Sequence, residues 1–208
     1  MRLIVLELAC ERGGRSLFQG LSFTLEAGRA VMLTGPNGAG KTSLILIIAG
    51  LLAPAAGSVA LAPASGATGN EAEAADEPSL PEEAHLVGHR DGLKSQLTVA
   101  ENLAFWQAFA GAPWLSPRDA LGALGLAHLL DVPCAYLSAG QRRRVALTRL
   151  LVARRPLWLL DEPTAALDAH SRGLLAGLMS AHLAEGGLIV AATHEPIGIE
   201  AGEIAIRP

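Results

Sequence analysis

The chain has no run of the roughly 20 apolar residues that crossing a bilayer takes. Its richest stretch, Leu44 to Ala56, is shorter and is broken by Gly50 and Pro54. The N-terminal Met1-Arg2-Leu3-Ile4-Val5-Leu6-Glu7 meets an acid too early for the apolar region of a secretory signal. These absences predict a cytoplasmic protein that reaches a membrane only through a separate chain. Cysteine is scarce: Cys10 and Cys134 fall in no metal or redox spacing and read as free, buried thiols. A basic stripe is also missing. The formal charge of −4 arises because Glu71, Glu73, Asp76, Glu77, Glu82 and Glu83 stand together with no Lys or Arg among them. Without those six, 16 basic residues face fourteen acids, a balance of +2 that argues against nucleic acid as the main partner.

What is present is apolar surface in quantity. Half of the 208 residues are hydrophobic, enough to bury a substantial core, and residues 1–208 read as a single domain. Within it, Gly35-Pro36-Asn37-Gly38-Ala39-Gly40-Lys41-Thr42 fits G-x-x-x-x-G-K-[ST] between an apolar strand-like run, Ala30 to Thr34, and an apolar helix-like run, Thr42 to Leu51. The glycines let successive backbone N–H groups curl round a phosphate with no Cβ in the way, and the following helix aims its positive end at the same anion. Lys41 is placed to bridge the β- and γ-phosphates of ATP, the Thr42 hydroxyl to ligate Mg²⁺, and Ser43 continues the same turn.

Around this loop the pattern predicts an α/β P-loop domain. Leu3–Leu8 and Leu21–Leu25 alternate as antiparallel edge strands, and Val59–Leu61 adds a third after a break at Pro54–Gly57. Residues 62–84 are Ala, Gly, Pro, Ser and acid without periodicity, a low-complexity insertion of which no chemistry is expected. A helical insert at about 90–155 follows the short strand Leu86–Gly88. Thr98 with Glu101, and Ser138 with Gln141, match capping boxes, and helical patterns run through Ala110, from Pro117 to Leu130, and from Arg142 to Arg154. Leu157–Leu160 and Leu188–Ala192 read as strands buried on both faces, and Asp168 as the cap of the helix between them.

Asp161 and Glu162 stand at the carboxyl end of an apolar strand, where ligand crevices of α/β sheets lie. Asp161 suits a Mg²⁺ ligand opposite Thr42, and Glu162 a general base for the water that attacks the γ-phosphate.

Leu137-Ser138-Ala139-Gly140-Gln141 resembles the LSGGQ signature of ABC ATPases, with Ala139 replacing one glycine. The order of P-loop, signature, acidic pair, Ala165-Ala166-Leu167-Asp168 and His194 is that family's. The resemblance implies that two copies pair head to tail, so that Ser138, Ala139, Gly140 and Gln141 of one meet the γ-phosphate held by the other. It implies further that Asp168 belongs to the D-loop and that His194 senses the γ-phosphate and orients Glu162. Arg12 stands where members commonly stack a tyrosine on adenine, and its planar guanidinium could stack instead. His89 stands where they carry the glutamine that links Mg²⁺ to the membrane subunit. The strings ELACERGGRSLFQGLSF, GHRDGLKSQLTVAENL, LSAGQRRRVALTRL and GGLIVAATHEP look like one subfamily, the ATP-binding subunits of cytochrome c maturation complexes. That likeness implies a homodimer on the cytoplasmic face of the inner membrane, docked to integral membrane subunits and driving haem export or release of a haem-loaded chaperone. Haem itself is not expected on this chain: His85 and His89 share a face only if helical, and Leu86-Val87-Gly88 between them reads as strand and turn. The rival expectations are an ABC exporter subunit for another substrate, an ATP-gated clamp on nucleic acid, and a regulatory binder that does not hydrolyse.

Overall fold

The structure, a computed structural model, describes residues 1–63 and 80–206. Two sheets form its frame. A three-stranded antiparallel sheet has the order β2-β1-β4, with β1 at Arg2–Arg12, β2 at Arg15–Leu25 and β4 at Ala56–Ala62. A five-stranded parallel sheet has the order β5-β6-β7-β3-β8, from β5 (Ala84–Val87), β6 (Leu157–Asp161), β7 (Leu188–Ala192), β3 (Ala30–Thr34) and β8 (Gly202–Ala205).

β6 and β7 are buried at every residue, which is why their sequences are continuous apolar runs. Their alternate side chains separate two cores. Leu157, Leu159, Leu188 and Val190 face the antiparallel sheet and α1 (Lys41–Ile48), together with Leu3, Val5, Leu8, Leu44 and Ile48. Trp158, Leu160, Ile189 and Ala191 face the opposite core, among residues of α3 (Val99–Ala110), α4 (Pro117–Ala123), α5 (Ala139–Val152) and α6 (Ala169–Ala184). α1 is apolar on nearly all sides because it is wedged between two sheets. No helix among the described residues is long and apolar enough to cross a membrane.

The expected caps are in place. Thr98 and Ser138 close full capping boxes on α3 and α5, and Asp168 accepts from Ser171 N–H at 2.8 Å to start α6. Cys10 and Cys134 are free and buried. Other expectations need correction. β1 and β2 are longer than the alternation suggested, because register shifts after Val5 and Leu8 break the period of two, and a Gly13-Gly14 turn joins them. α4 stops at Ala123 rather than reaching Leu130, since Gly125 at φ 69° turns the chain before a short 3₁₀ turn at Ala127–Leu129. The low-complexity insertion is ordered at both margins: Ala62 ends β4, Leu80–Glu83 form a single helical turn, α2, and Ala84 opens β5. Its remainder, 64–79, lies outside the described residues.

Candidate nucleotide site

The sheet order does the assembling. Side by side, β5, β6, β7 and β3 deliver to one edge the residues that follow each strand: His89 after β5, Asp161 and Glu162 at β6, His194 after β7 and the phosphate loop after β3. A cavity of about 310 Å³ at this edge is lined by Leu17, Asn37, Gly38, Gly40, Lys41, Thr42, Ser43, His89, Asp161, Glu162 and His194.

The loop is built for an anion. α3, α4, α5 and α6 each have one first-turn N–H satisfied by a cap side chain, from Thr98, Ser116, Ser138 and Asp168. α1 starts at Gly40 with no side-chain cap, so its opening donors face the cavity. Gly40 has φ 106°, and a Cβ there would sit 3.0 Å from the Phe18 ring. Gly35, at φ 136°, passes so close to the end of β8 that a Cβ would meet the Ile206 carbonyl oxygen at 2.5 Å. Lys41 is nearly buried and lays its ammonium across the loop, donating to Gly35 O at 2.7 Å and Pro36 O at 3.1 Å. Ala39 packs into the core below.

Thr42 Oγ1 donates to Asp161 Oδ2 at 3.0 Å, and His89 Nδ1 lies 3.7 Å from the same carboxylate oxygen. A hydroxyl and a carboxylate, two hard oxygen donors at a cavity that admits phosphate, fit Mg²⁺, which takes one or two protein oxygens and completes its shell with phosphate and water. Glu162 Oε1 is 3.9 Å from His194 Nε2, which is also 2.9 Å from Asn37 Oδ1. Glu162 holds φ 49°, a left-handed conformation that costs a non-glycine residue on the order of 1–3 kcal/mol.

Not every candidate gathers here. Arg12 closes the β1–β2 hairpin opposite Arg15 and is exposed, and Leu17 of β2 lines the cavity instead. Ser138 and Ala139 are exposed at the start of α5, away from their own chain's cavity; Gly140 packs close to the Ala166 carbonyl, and Gln141 is spent on the capping box. Asp168 is likewise a cap, its carboxyl held below the usual range by hydrogen bonds from Ser171. His85 and His89 do not converge: His85 is buried against the Ala153 carbonyl, whereas His89 projects to Asp161 from an exposed turn.

Sequence reading missed Arg143, which is buried and hydrogen bonded to the carbonyls of Gly88, Asp161 and Glu162. Within Arg142-Arg143-Arg144 it passes for a solvated charge. A signal existed nonetheless, because Arg143 falls four and seven residues before Leu147 and Leu150 on the inward stripe of α5.

Comparison with known proteins agrees with this geometry. Residues 18–165 match the profile of the family described as ABC transporter. The Cytochrome c biogenesis ATP-binding export protein CcmA of Nitrobacter winogradskyi is 54% identical over 207 residues, covering 99% of this chain and 98% of the relative. The protein of that name from Bradyrhizobium diazoefficiens is 51% identical over 206 residues, covering 99% and 98%. A solved structure described as a putative ABC transporter ATP-binding protein from Pyrococcus furiosus superposes with TM-score 0.81 over 99% of this chain and 98% of its own, at 20% identity. A second, described as an ATP-binding subunit of an ABC transporter, gives 0.76 at 25% identity over 93% of this chain and 80% of its own. The chain belongs to the ABC transporter family, as an ATP-binding, ATP-hydrolysing domain.

Proposed function

We propose that this domain powers a membrane exporter in cytochrome c biogenesis, hydrolysing ATP as a head-to-tail homodimer whose turnover drives haem export or release of a haem-loaded chaperone. The observation that carries the reading is the identity above 50% along nearly the whole length of proteins named for that process, in a chain whose phosphate loop, Asp161, Glu162 and His194 line one cavity. Integral membrane subunits supply the partner surface, and the assembly lies on the cytoplasmic face of the inner membrane. Haem stays with those partners.

In this mechanism the open N–H groups of α1 and the Lys41 ammonium hold the phosphates of ATP. Lys41 exchanges its bonds to Gly35 O and Pro36 O for phosphate oxygens, which are stronger acceptors. Thr42 and Asp161 would hold Mg²⁺, which would supply positive charge to offset that of the phosphates. Glu162 accepts the proton of the attacking water, and His194, shared between Glu162 and Asn37, orients that carboxylate and reads the γ-phosphate. Ser138 and Gly140 of the partner subunit close the site from across the dimer. His89 carries the contact between the metal side of the site and the membrane subunits.

The test is a strain in which the chromosomal copy carries Glu162→Gln. The expected result is loss of c-type cytochromes while the tagged variant still copurifies with membrane subunits identified by mass. Normal cytochrome levels in that strain would overturn the assignment to this process.

A further inference from the structure

We propose that Arg143 is a positioning residue for hydrolysis, clamping the backbone at the end of β6 so that the Glu162 carboxylate is aimed at the phosphate cavity. The proposal rests on the reading of Glu162 as general base. Arg143 lies one turn into α5, the helix that Ser138 starts, and its side chain is 5% exposed. Through one nitrogen it donates to Asp161 O at 2.9 Å and Glu162 O at 2.6 Å. Through the other it donates to Gly88 O at 2.8 Å and lies 3.5 Å from Asp91 Oδ1. A single planar fork thus ties the segment after β5 to the segment after β6, a geometry that a point charge cannot reproduce. Burial pushes the guanidinium below its usual range, and the opposing pull comes first from Asp91.

The clamp matters because of what it holds. Glu162 sits in the left-handed region, and a non-glycine residue stays there only where its surroundings over-determine it. Here both sides of the residue are fixed: its N–H donates to Ala192 O at 2.8 Å, and its carbonyl accepts from Arg143 at 2.6 Å and, more weakly, from Ala165 N–H at 3.2 Å. The direction of the side chain follows from that backbone and brings the carboxylate to 3.9 Å from His194. Without Arg143 only the longer bond from Ala165 N–H holds that carbonyl, and residue 162 can relax toward ordinary φ and swing the carboxylate away. The same side chain fastens α5, whose exposed N-terminus carries the signature, to the backbone carbonyl of the residue that bears the base in its own chain. Seating the signature on a partner's nucleotide would therefore be felt at the base.

The experiment uses the full-length chain with Arg143→Lys, Arg143→Gln, Glu162→Gln and the double variant Arg143→Lys/Glu162→Gln. Arg143→Lys keeps a cation beside Asp91, so it preserves the test if Arg143→Gln does not fold, and thermal melts establish which variants are folded. The expected result for the Arg143 variants is a kcat lowered roughly 10²-fold, the scale of a small misplacement of a reacting group. KM and equilibrium ATP binding stay near wild type, because Arg143 touches no residue of the phosphate loop. In the Glu162→Gln background, Arg143→Lys slows residual single-turnover hydrolysis no further, since the group it aims is gone. Unchanged kcat in folded Arg143→Lys would overturn the proposal, as would an equal fold-loss in both backgrounds. Full turnover by Glu162→Gln alone would instead remove the general-base reading and the proposal with it.

Discussion

Thr42 and Asp161, 119 positions apart in the chain, share a 3.0 Å hydrogen bond from hydroxyl to carboxylate. The bond joins the first turn of α1 to the end of β6, and both residues line the cavity beside the phosphate loop. Replacing Asp161 by Asn keeps the shape and removes the charge, so it weakens a metal more than it weakens the fold. The expected outcome is a rise in the Mg²⁺ concentration needed for half-maximal ATPase and a fall of roughly 10²-fold in rate at fixed Mg²⁺. Titrating ATPase against Mg²⁺ checks it, and an unchanged half-point would take Asp161 out of the metal's shell.

Gly35 separates the loop's need for small residues from simple flexibility. Gly35→Ala puts a methyl 2.5 Å from the Ile206 carbonyl oxygen, at φ 136°, so either β8 or the loop must shift. The expected cost is on the order of 1–3 kcal/mol of stability, with weakened ATP binding, read by urea denaturation and nucleotide titration.

The parts of this protein legible in the sequence are those whose signal is local. The phosphate loop, the caps at Thr98, Ser138 and Asp168, and the doubly buried β6 and β7 all declare themselves within a few residues. β8 does not. Gly202–Ala205 is short and carries Glu203, and it is a strand because it pairs with β3. Glu203 is accommodated by the Thr34 hydroxyl, which donates to it at 2.7 Å. Arg143 was hidden for a related reason, since its burial depends on carbonyls from two distant segments. The substitution of Arg12 for an aromatic was visible as a position, but the structure puts Leu17 on the cavity wall.

Ser138 caps α5, and under the proposed head-to-tail pairing it has a second, separable duty, which Ser138→Asp divides from the first. Asp is as good an N-cap as Ser, so the bond from Gln141 N–H can be kept and the stability change should stay within a few tenths of 1 kcal/mol, against about 1 kcal/mol for Ser138→Ala. A second negative charge placed against the partner's γ-phosphate should nevertheless abolish ATPase and ATP-dependent dimerisation. ATP affinity of the dilute monomer should hold. Thermal melts, size exclusion with ATP and nucleotide titration together read the outcome. Lost binding in the monomer would show that the signature acts on its own chain's site.

His85 makes stability depend on pH in a definable window. Its Nε2 lies 2.8 Å from the Ala153 carbonyl oxygen, a bond that requires N–H on that nitrogen. Burial is the main cause that pushes its pKa down from 6.5 to about 4, with the charges of Arg149 and Arg155 acting in the same direction. Between those values the unfolded chain binds a proton that the folded chain refuses, so stability is fully present above pH 6.5 and declines as pH falls toward 4. The contribution lost from this residue is about 2 kcal/mol by pH 5 and about 3 kcal/mol below pH 4. His85→Gln keeps an N–H donor for Ala153 and cannot titrate. Urea denaturation at pH 7 and pH 5 should therefore show the wild type losing about 2 kcal/mol more than the variant. Equal losses in the two proteins would mean that His85 is protonated in the fold and that burial does not hold it neutral.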